Sequence, residues 1–391
     1  MSRLSRRLDA IPGSATLAVA TRARQLVAEG RHVISFAAGE PDFASPEHVV
    51  AAAARACHDP ENHHYSANAG LEPLRHAVAQ NTALYSGVPV DASEVLITNG
   101  AKQAVFQAFA AVLDPGDEVL LPAPHWVTYP AGVNLTGGVP VSVATSIDNG
   151  FKATVSDLEA ARTPNTKMLV FVSPSNPTGA VYTAEEARAI GEWASEHDIW
   201  VMADEIYQRL YYEGEVAPSI AATNPGYEKW ILINGVAKSY AMTGWRVGWI
   251  VGPSDIIDVA ARHQSHATGN VNNVAQVAAT AALTGSQDTV IEMRHAFDRR
   301  RRLMFELVSD LPGFTCIEPQ GAFYVFPDVS DVLGDRYPSS AALADVLLEE
   351  GGVALVPGES FGAPGYIRLS YALGEDDIRT GVERIRQMLT G

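Results

Sequence analysis

Residues 236–249 read VAKSYAMTGWRVGW, and their ends overlap two apolar stretches, WILINGV at 230–236 and VGWIVGP at 247–253. Both stretches are typical of strands, and the segment between them carries two cations, Lys238 and Arg246. One interpretation is a strand–loop–strand unit whose charges face water. The other is a reactive lysine beside an anion site, because a lysine in apolar surroundings loses its proton more readily. An arginine nearby could then bind a phosphate with two hydrogen bonds.

Strand-like apolar runs alternate with helix-like stretches on the N-terminal side of this segment. The runs are VLIT (95–98), EVLLP (118–122), MLVFVSP (168–174) and IWVMADE (199–205). Helix-like sequence separates the first run from the second and the third from the fourth. Strands that are apolar on both faces are typical of parallel sheets covered by helices. The sequence therefore predicts an α/β fold with a largely parallel sheet.

The pattern changes near residue 285, where a long charged helix leads to the short strand-like runs FYVFPDV and IRLSYA. This change predicts a second, smaller α+β domain that the N-terminal arm joins. The predicted organisation is an arm with part of the small domain at 1–44, a large domain at 45–285 and a small C-terminal domain at 286–391. The four-arginine run 299–302 is predicted to be a solvated helix face and not an anion patch, since acidic residues lie close by.

Composition limits the possible functions. The chain has 391 residues, is 47% hydrophobic and carries a formal net charge of −17. Such a surface repels nucleic acid and anionic membranes. Two cysteines give neither a disulfide framework nor a zinc pattern, so we expect no metal site and a reducing compartment. The N-terminus lacks the unbroken apolar run of a signal peptide, and no run reaches membrane-spanning length, so we expect a cytoplasmic protein.

Polar residues follow several of the predicted strands, at the edge where parallel sheets bind ligands. Gly100 and Ala101 follow VLIT and open a helix, as phosphate sites require, although many such turns contain glycine for steric reasons. Asn176 follows MLVFVSP and could supply an amide. Asp204 ends IWVMAD, where a buried carboxylate needs a cationic partner unless it caps a helix.

Two aromatic residues complete the set. Tyr207 lies three residues after Asp204, and Trp126 lies in the loop PAPHWVTYP. The tryptophan is either a packing residue or a flat surface for a ring. A lysine, an acid, a phosphate cradle, a phenol and a ring platform are together what pyridoxal 5′-phosphate requires.

The chain resembles the class I aminotransferases of fold type I, and within them the bacterial aspartate aminotransferase subgroup. The resemblance covers nearly the whole chain. The motifs that carry it are, in order, SATLAV, FAAGEPDF, YSANAGLEPLR, NGAKQA, LDPGDEVLLPAPHWVTYP, SPSNPTGAVY, ADEIYQRL, AKSYAMTGWRVGW, GAFYVF and IRLSYA. It implies a mostly parallel seven-stranded sheet in the large domain, pyridoxal 5′-phosphate as cofactor, amino acids and 2-oxo acids as substrates, and a homodimer with shared active sites.

The resemblance also implies roles. Lys238 would form the imine with the cofactor and move the substrate proton, and Asp204 would hold the proton on the pyridinium nitrogen. Tyr207 and Asn176 would bond to O3′ of the cofactor, and Trp126 would stack on the ring face. The residues on the phosphate side would be Gly100, Ala101, Lys102 and Arg246. Tyr65 would reach the phosphate from the neighbouring subunit. Arg368, Asn176 and Gly39 would grip the substrate α-carboxylate, beside Trp126, and Lys102 would meet the distal carboxylate of an acidic substrate.

One departure and three alternatives remain. Related phosphate sites often carry Ser or Thr three residues before the lysine, where this chain has Gly235. Aspartate with 2-oxoglutarate is the substrate pair that the resemblance favours. The alternatives are an aromatic or prephenate-type substrate, a related oxidation or elimination, and a non-catalytic binding protein of the same fold.

Overall fold

The central sheet has seven strands in the part of the chain that the computed structural model describes, namely residues 5–9, 11, 13, 15–224 and 226–390. Some residues of the predicted arm, 1–4, 10, 12 and 14, therefore lie outside the described residues. The strands of the central sheet and of two smaller sheets are, in chain order, β1 (Ile34–Ser35), β2 (Val95–Thr98), β3 (Glu118–Ala123), β4 (Val139–Ala144), β5 (Thr166–Val172), β6 (Trp200–Asp204), β7 (Trp230–Gly235), β8 (Gly248–Val251), β9 (Tyr324–Val325), β10 (Val353–Ala354), β11 (Val356–Pro357) and β12 (Ile367–Ser370).

The α-helices are α1 (Arg6–Asp9), α2 (Ala15–Ala28), α3 (Glu47–Ala56), α4 (Glu72–Tyr85), α5 (Ala101–Val112), α6 (Thr128–Thr136), α7 (Val155–Ala161), α8 (Ala184–Glu196), α9 (Ser254–Ala267), α10 (Asn273–Thr284), α11 (Asp288–Ser309), α12 (Ser340–Glu349) and α13 (Glu375–Thr390). Several begin at side-chain caps that their sequences provide, such as Thr183 before α8 and Asn272 before α10.

The central sheet runs in the order β2-β8-β7-β6-β5-β3-β4. β8 pairs antiparallel with both β2 and β7, and the remaining pairs are parallel. The predicted α/β class and the mostly parallel sheet are thus confirmed. The stretch 236–249 is the connection between β7 and the start of β8, so it lies at one edge of the sheet where both strands contribute to a site.

Helices cover both faces of the sheet. On one face, α3, α4, α8 and α10 pack against the apolar side chains of the strands, with Leu74, Ile190 and Ala278 in that core. On the other face, α5, α6 and α9 do so, with Phe109 and Ile257. The strands need apolar residues on both sides for this reason, which is why their sequences read as continuous apolar runs.

A separate core is built by α11, α12 and α13 with the short strands. β9, β11 and β12 form an antiparallel sheet, and β1 pairs parallel with β10 through Ile34 and Val353. The N-terminal segment thus pairs with the C-terminal part of the chain. The core includes Phe297, Phe323, Tyr324 and Leu369. The boundaries near residues 44 and 285 stay a prediction.

None of the helices in the described part of the chain combines the length and apolarity needed to cross a membrane. Over the same residues, no group of three or more His, Cys, Asp or Glu side chains is placed to hold a metal ion.

Candidate active site

The site lies at the carboxyl ends of β5, β6 and β7 and at the start of α5. Asp204 is the last residue of β6, and Asn176 and Lys238 follow β5 and β7 within four residues. The parallel arrangement of these strands brings their carboxyl ends to one edge of the sheet. Side chains that are far apart in sequence therefore face the same space.

Positive charge converges where β2 leads into α5. Gly100, at the N-cap, has a φ of 80°, and the Arg246 guanidinium lies so close that a Cβ on Gly100 would be 2.5 Å from Nη2. Arg246 Nη2 donates to the carbonyl oxygen of Asn99 at 3.3 Å. The start of a helix is itself positive, and a cation beside it is unfavourable unless an anion binds between them. Gly100, Ala101 and Arg246 thus form a cradle suited to an anion.

Lys102 adds a further positive charge beside this cradle. Its Nζ lies 5.1 Å from the centre of the Trp126 ring. Desolvation, and then repulsion by Arg246, lowers the pKa of Lys102, although the residue is exposed in the single chain. Trp126 also packs edge-on against Tyr129, with ring centres 5.4 Å apart. A cleft of about 500 Å³ is lined partly by Asn99, Trp245 and Arg246.

Lys238 lies between aromatic rings. Its Nζ is 5.8 Å from the centre of the Tyr207 ring and 5.7 Å from that of Phe323, and it donates to the carbonyl oxygen of Gly39. Burial lowers the pKa of Lys238 to about 8; Arg368 acts in the same direction, whereas Glu40 opposes it. An amine with this pKa is neutral in a useful fraction of molecules near physiological pH.

Asp204 is buried, with a fractional exposure of 3%. Its Oδ2 accepts a hydrogen bond from the Tyr129 hydroxyl at 2.8 Å, and its Oδ1 accepts one from the Ile206 amide at 3.1 Å. Burial raises the pKa of Asp204, while these two hydrogen bonds and the charge of Lys238 lower it. Residues 206–209 form a turn and not a helix, so the interpretation of Asp204 as a helix cap is wrong.

Arg368 is the buried cation of the site. Its Nη1 donates to Asn176 Oδ1 at 2.9 Å and its Nη2 to the carbonyl oxygen of Ala37 at 3.0 Å. Its guanidinium lies 4.4 Å from the centre of the Tyr324 ring and 5.1 Å from that of Phe361. Among the described residues, its Nε is buried without a hydrogen-bond partner. A buried donor left unpaired in this way is costly, and a bound carboxylate would satisfy it.

Tyr207 and Tyr324 join the two halves of the site, because their hydroxyls lie 2.8 Å apart. The contacts run from Arg368 through Tyr324 and Tyr207 to Lys238. Gly39 contributes a carbonyl group, which Lys238 already uses, so its N–H is the group left for a substrate carboxylate.

Tyr65 is the predicted site residue that the fold places elsewhere. It is 98% exposed, on the loop 62–71. Its predicted role in a neighbouring subunit is compatible with that position and stays a prediction. Gly235 has a packing reason for lacking a side chain, since a Cβ there would lie 2.9 Å from the carbonyl oxygen of Val247.

Sequence reasoning missed Tyr129 and Tyr324. Tyr324 stands inside the motif GAFYVF but follows none of the large-sheet strands, and Tyr129 lies one residue into α6. The spacing of Tyr129, three residues after Trp126, is the signal that could have placed it beside the tryptophan on one helical turn.

Comparisons with known proteins identify the family of the chain. The family model described as aminotransferase class I and II matches residues 31–385. An aspartate aminotransferase of Streptomyces avermitilis is 54% identical, and the match covers 99% of this chain and 97% of that protein. An aspartate/prephenate aminotransferase of Cereibacter sphaeroides is 42% identical, with 100% of both chains covered. The solved structure of an aspartate aminotransferase from Thermus thermophilus with maleate has a TM-score of 0.94 at 42% identity, covering 99% of this chain and 100% of that one.

Proposed function

The chain belongs to the class I and II aminotransferases, and from that premise we propose that it uses pyridoxal 5′-phosphate to transfer the amino group of aspartate to 2-oxoglutarate. The observation that carries the proposal is that one site brings together a lysine of lowered pKa, a buried carboxylate and a buried arginine with an unpaired donor. The two half-reactions would follow one another in a ping-pong sequence on this single site.

The residues present fit the cofactor. Its phosphate is an anion, and the cradle of Gly100, Ala101 and Arg246 offers it the backbone N–H groups of a helix start and a guanidinium. Its ring nitrogen is basic, and Asp204 is a buried carboxylate that two donors keep oriented. When bound, pyridoxal 5′-phosphate supplies an electron-withdrawing ring that stabilises negative charge at the substrate Cα.

Asp204 would hold the proton on the ring nitrogen. A carboxylate can do so only while it is ionised, and burial opposes ionisation. The Tyr129 hydroxyl and the Ile206 amide act against that effect because they donate to the charged form. Tyr207 and Asn176 would donate to the O3′ oxygen, and Trp126 would cover one face of the ring.

Lys238 would carry the proton between the substrate Cα and the cofactor carbon C4′. Its amine has to be neutral to accept that proton, and burial and the Arg368 charge favour the neutral form. The carbonyl oxygen of Gly39 would hold the ammonium once the proton is taken up. The same side chain can then return the proton at the second carbon.

Arg368 would bind the substrate α-carboxylate, because its planar guanidinium is fixed by Asn176, by Ala37 and by the Tyr324 ring. Lys102 would meet the distal carboxylate of aspartate. Two relatives support a dicarboxylic substrate: the Streptomyces avermitilis protein is named for aspartate, and the Thermus thermophilus structure contains maleate, which has two carboxylates.

The second candidate substrate is prephenate, which the name of the Cereibacter sphaeroides relative favours. Prephenate also carries two carboxylates, so Lys102 and Arg368 would serve it equally. A screen of amino donors and 2-oxo acceptors that includes prephenate separates the two candidates.

Substitution of Lys102 tests the aspartate proposal. An ammonium that meets a carboxylate in a site with little water contributes about 1.5–3 kcal/mol, or roughly tenfold to a hundredfold in discrimination. Lys102→Ala should lower kcat/KM for aspartate and glutamate by about that factor and affect alanine or phenylalanine much less. Lys152→Ala is the control, since Lys152 pairs with Glu186. Equal losses for acidic and neutral donors would refute the role of Lys102.

A further inference from the structure

Carboxamide side chains on α5, α9 and α10 connect two segments that differ in their proposed tasks. One segment is the loop 62–71, which carries Tyr65. The other is the cradle segment, residues 97–101, which leads from β2 into α5. The carboxamides that bond to these segments are those of Gln264, Asn273 and Gln276, which are buried, and of Gln103, which is half-buried. Gln107, also buried, bonds to Gln264.

Gln264 of α9 touches both segments and has a fractional exposure of 0%. Its Nε2 donates to the carbonyl oxygen of Asn68 at 2.7 Å and to that of Ile97 at 2.9 Å. Both partners are backbone oxygens and can only accept, which fixes the orientation of the amide. A reversed amide would place Oε1 against two further oxygens.

The acceptor side of Gln264 extends the connection to α5. Its Oε1 accepts from Gln107 Nε2 at 3.1 Å and from Gln103 Nε2 at 3.4 Å. Gln103 in turn accepts, through Oε1, from the amide of Asn99 at 2.6 Å. Asn99 directly precedes Gly100, so this chain of hydrogen bonds ends at the cradle.

The ends of the loop 62–71 are held by α10. Gln276 Oε1 accepts from the Leu71 amide at 2.7 Å, and Asn273 Nδ2 donates to the His64 carbonyl oxygen at 2.8 Å. These two side chains fix the ends of the loop, while Gln264 fixes its middle. Ser66 Oγ also donates to Asn273 Oδ1 at 2.6 Å, and the Ile97 amide donates to the Ala69 carbonyl oxygen at 3.0 Å. The loop is thus anchored on both sides of Tyr65, although the Tyr65 ring is 98% exposed.

We propose that Gln264 is a positioning residue. Its single side chain holds in place both the cradle segment of its own subunit and the loop 62–71, which that subunit contributes to the neighbour's active site. The inference rests on the proposed function and on the proposed dimer. Because a buried carbonyl oxygen that loses its donor costs free energy, removing the Gln264 amide should loosen both segments together.

Hydrogen exchange on the cofactor-free protein tests the geometric part. Gln264→Met keeps the length of the side chain and removes its donors, and Gln264→Glu, which keeps the shape and the acceptors, serves if the first variant does not fold. We expect faster exchange in both 62–71 and 97–103. Gln276→Met should affect the loop only, because Gln276 bonds to Leu71 and Val271 and does not touch the cradle.

Gln107→Met is the matched control, because Gln107 is a buried glutamine that bonds to Gln264 but to neither segment. It should lower stability without the paired change in exchange. The proposal is wrong if Gln264→Met changes one segment only or neither, or if Gln107→Met reproduces the paired change.

Hybrid dimers test the two destinations separately. A subunit with Gln264→Met and Lys238→Ala leaves the intact site to its wild-type partner and so reports on the contributed loop. A subunit with Gln264→Met alone, paired with a Lys238→Ala subunit, reports on its own cradle. In both hybrids we expect the intact site to lose cofactor about fivefold faster, as for one lost hydrogen bond. An effect in a single hybrid would overturn the proposal.

A protein that is monomeric or does not bind the cofactor would instead refute the proposed assembly or function. The exchange result would still decide the geometric part.

Discussion

At the scale of single residues, the charge of Lys238 is set by opposing neighbours. Burial, Arg368 and Arg246 favour the neutral amine, whereas Glu40 and Asp204 favour the ammonium, and the pKa settles at about 8. The amine in an unfolded chain has a pKa of about 10.4. Folding therefore favours loss of the proton. The free energy of unfolding should rise as the pH increases from about 8 to about 10.4, because in this range the unfolded chain still holds the proton that the folded chain has lost.

Covalent loading of the cofactor should follow this titration. The rate at which pyridoxal 5′-phosphate attaches to Lys238 of the cofactor-free protein should rise with pH, with a midpoint of about 8, and level off above it. Stopped-flow absorbance measures the rate, and borohydride reduction followed by peptide mapping identifies the lysine. A midpoint near 10, or label on another lysine, would contradict the assignment. Lys238→Ala should abolish both the attachment and turnover.

Tyr129 should control the ionisation of Asp204. Tyr129→Phe removes one of the two donors to the buried carboxylate, and its pKa should then rise. A hydrogen bond to a charged group is worth about 1.5–3 kcal/mol, so the acidic limb of the kcat/KM profile should move up by about one pH unit or more. Tyr182→Phe is the control, because Tyr182 is another buried tyrosine, whose hydroxyl accepts from Ala153. An unmoved profile in Tyr129→Phe would exclude this role.

The sequence predicted the site residues that follow strands of the large sheet. Lys238, Asp204 and Asn176 were placed together because parallel strands end at one edge. Tyr129 and Tyr324 were missed because their positions depend on how α6 and the small sheet pack against that edge. Packing between distant segments leaves little signal in local sequence.

At the scale of secondary-structure elements, α11 corrects one prediction. The run 299–302 was expected to face solvent, but the side chains of Arg300 and Arg301 are 13% and 10% exposed. Arg299 and Arg302, at 66% and 68%, do face solvent. Four consecutive residues of a helix point around its whole circumference, so one run cannot lie on a single face.

Arg300 holds the loop after Gly39 to α11. Its guanidinium forms two hydrogen bonds with Asp42, at 2.7 and 3.0 Å, and lies 5.0 Å from the centre of the Phe43 ring. Arg300→Lys keeps the charge but loses the second hydrogen bond and the flat contact, and should destabilise the protein by about 1–3 kcal/mol. Arg302→Lys, two residues on, should stay within about 0.5 kcal/mol. Thermal unfolding of the two variants compares them, and equal shifts would contradict the difference.

The sheet was predictable to the extent that its strands are buried on both faces. The apolar runs of the sequence begin and end within two residues of six strands, namely β2, β3, β5, β6, β7 and β8. β4 was missed because it lies at the edge of the sheet, where its residues are largely exposed or half-buried and Val139 is 44% exposed. The strand order was not readable from local pattern, since it depends on which crossovers the helices make.

At the scale of the whole molecule, the site is a positive region in an acidic protein. The chain carries a net charge of −17, whereas Lys102, Arg246, Lys238 and Arg368 lie close enough in the site for their charges to interact. Anionic substrates are repelled by the general surface and attracted by the site, so they concentrate there. Tyr65 is exposed, and Arg246 lines an open cleft.

In a dimer, the Tyr65 hydroxyl of one subunit would reach the phosphate site of the other, beside Arg246 of that subunit. Sedimentation should show a dimer at assay concentration, and Tyr65→Phe should speed cofactor loss by about fivefold, as for one hydrogen bond, without changing donor preference.

Hybrid dimers show which of the two active sites the substitution affects. When Tyr65→Phe and Lys238→Ala are in the same subunit, the intact site belongs to the partner and receives the altered loop, so it should lose cofactor faster. When the two substitutions are in different subunits, the intact site receives an unaltered tyrosine and should behave as wild type. The reverse pattern, or a fully active monomer, would remove Tyr65 from the site.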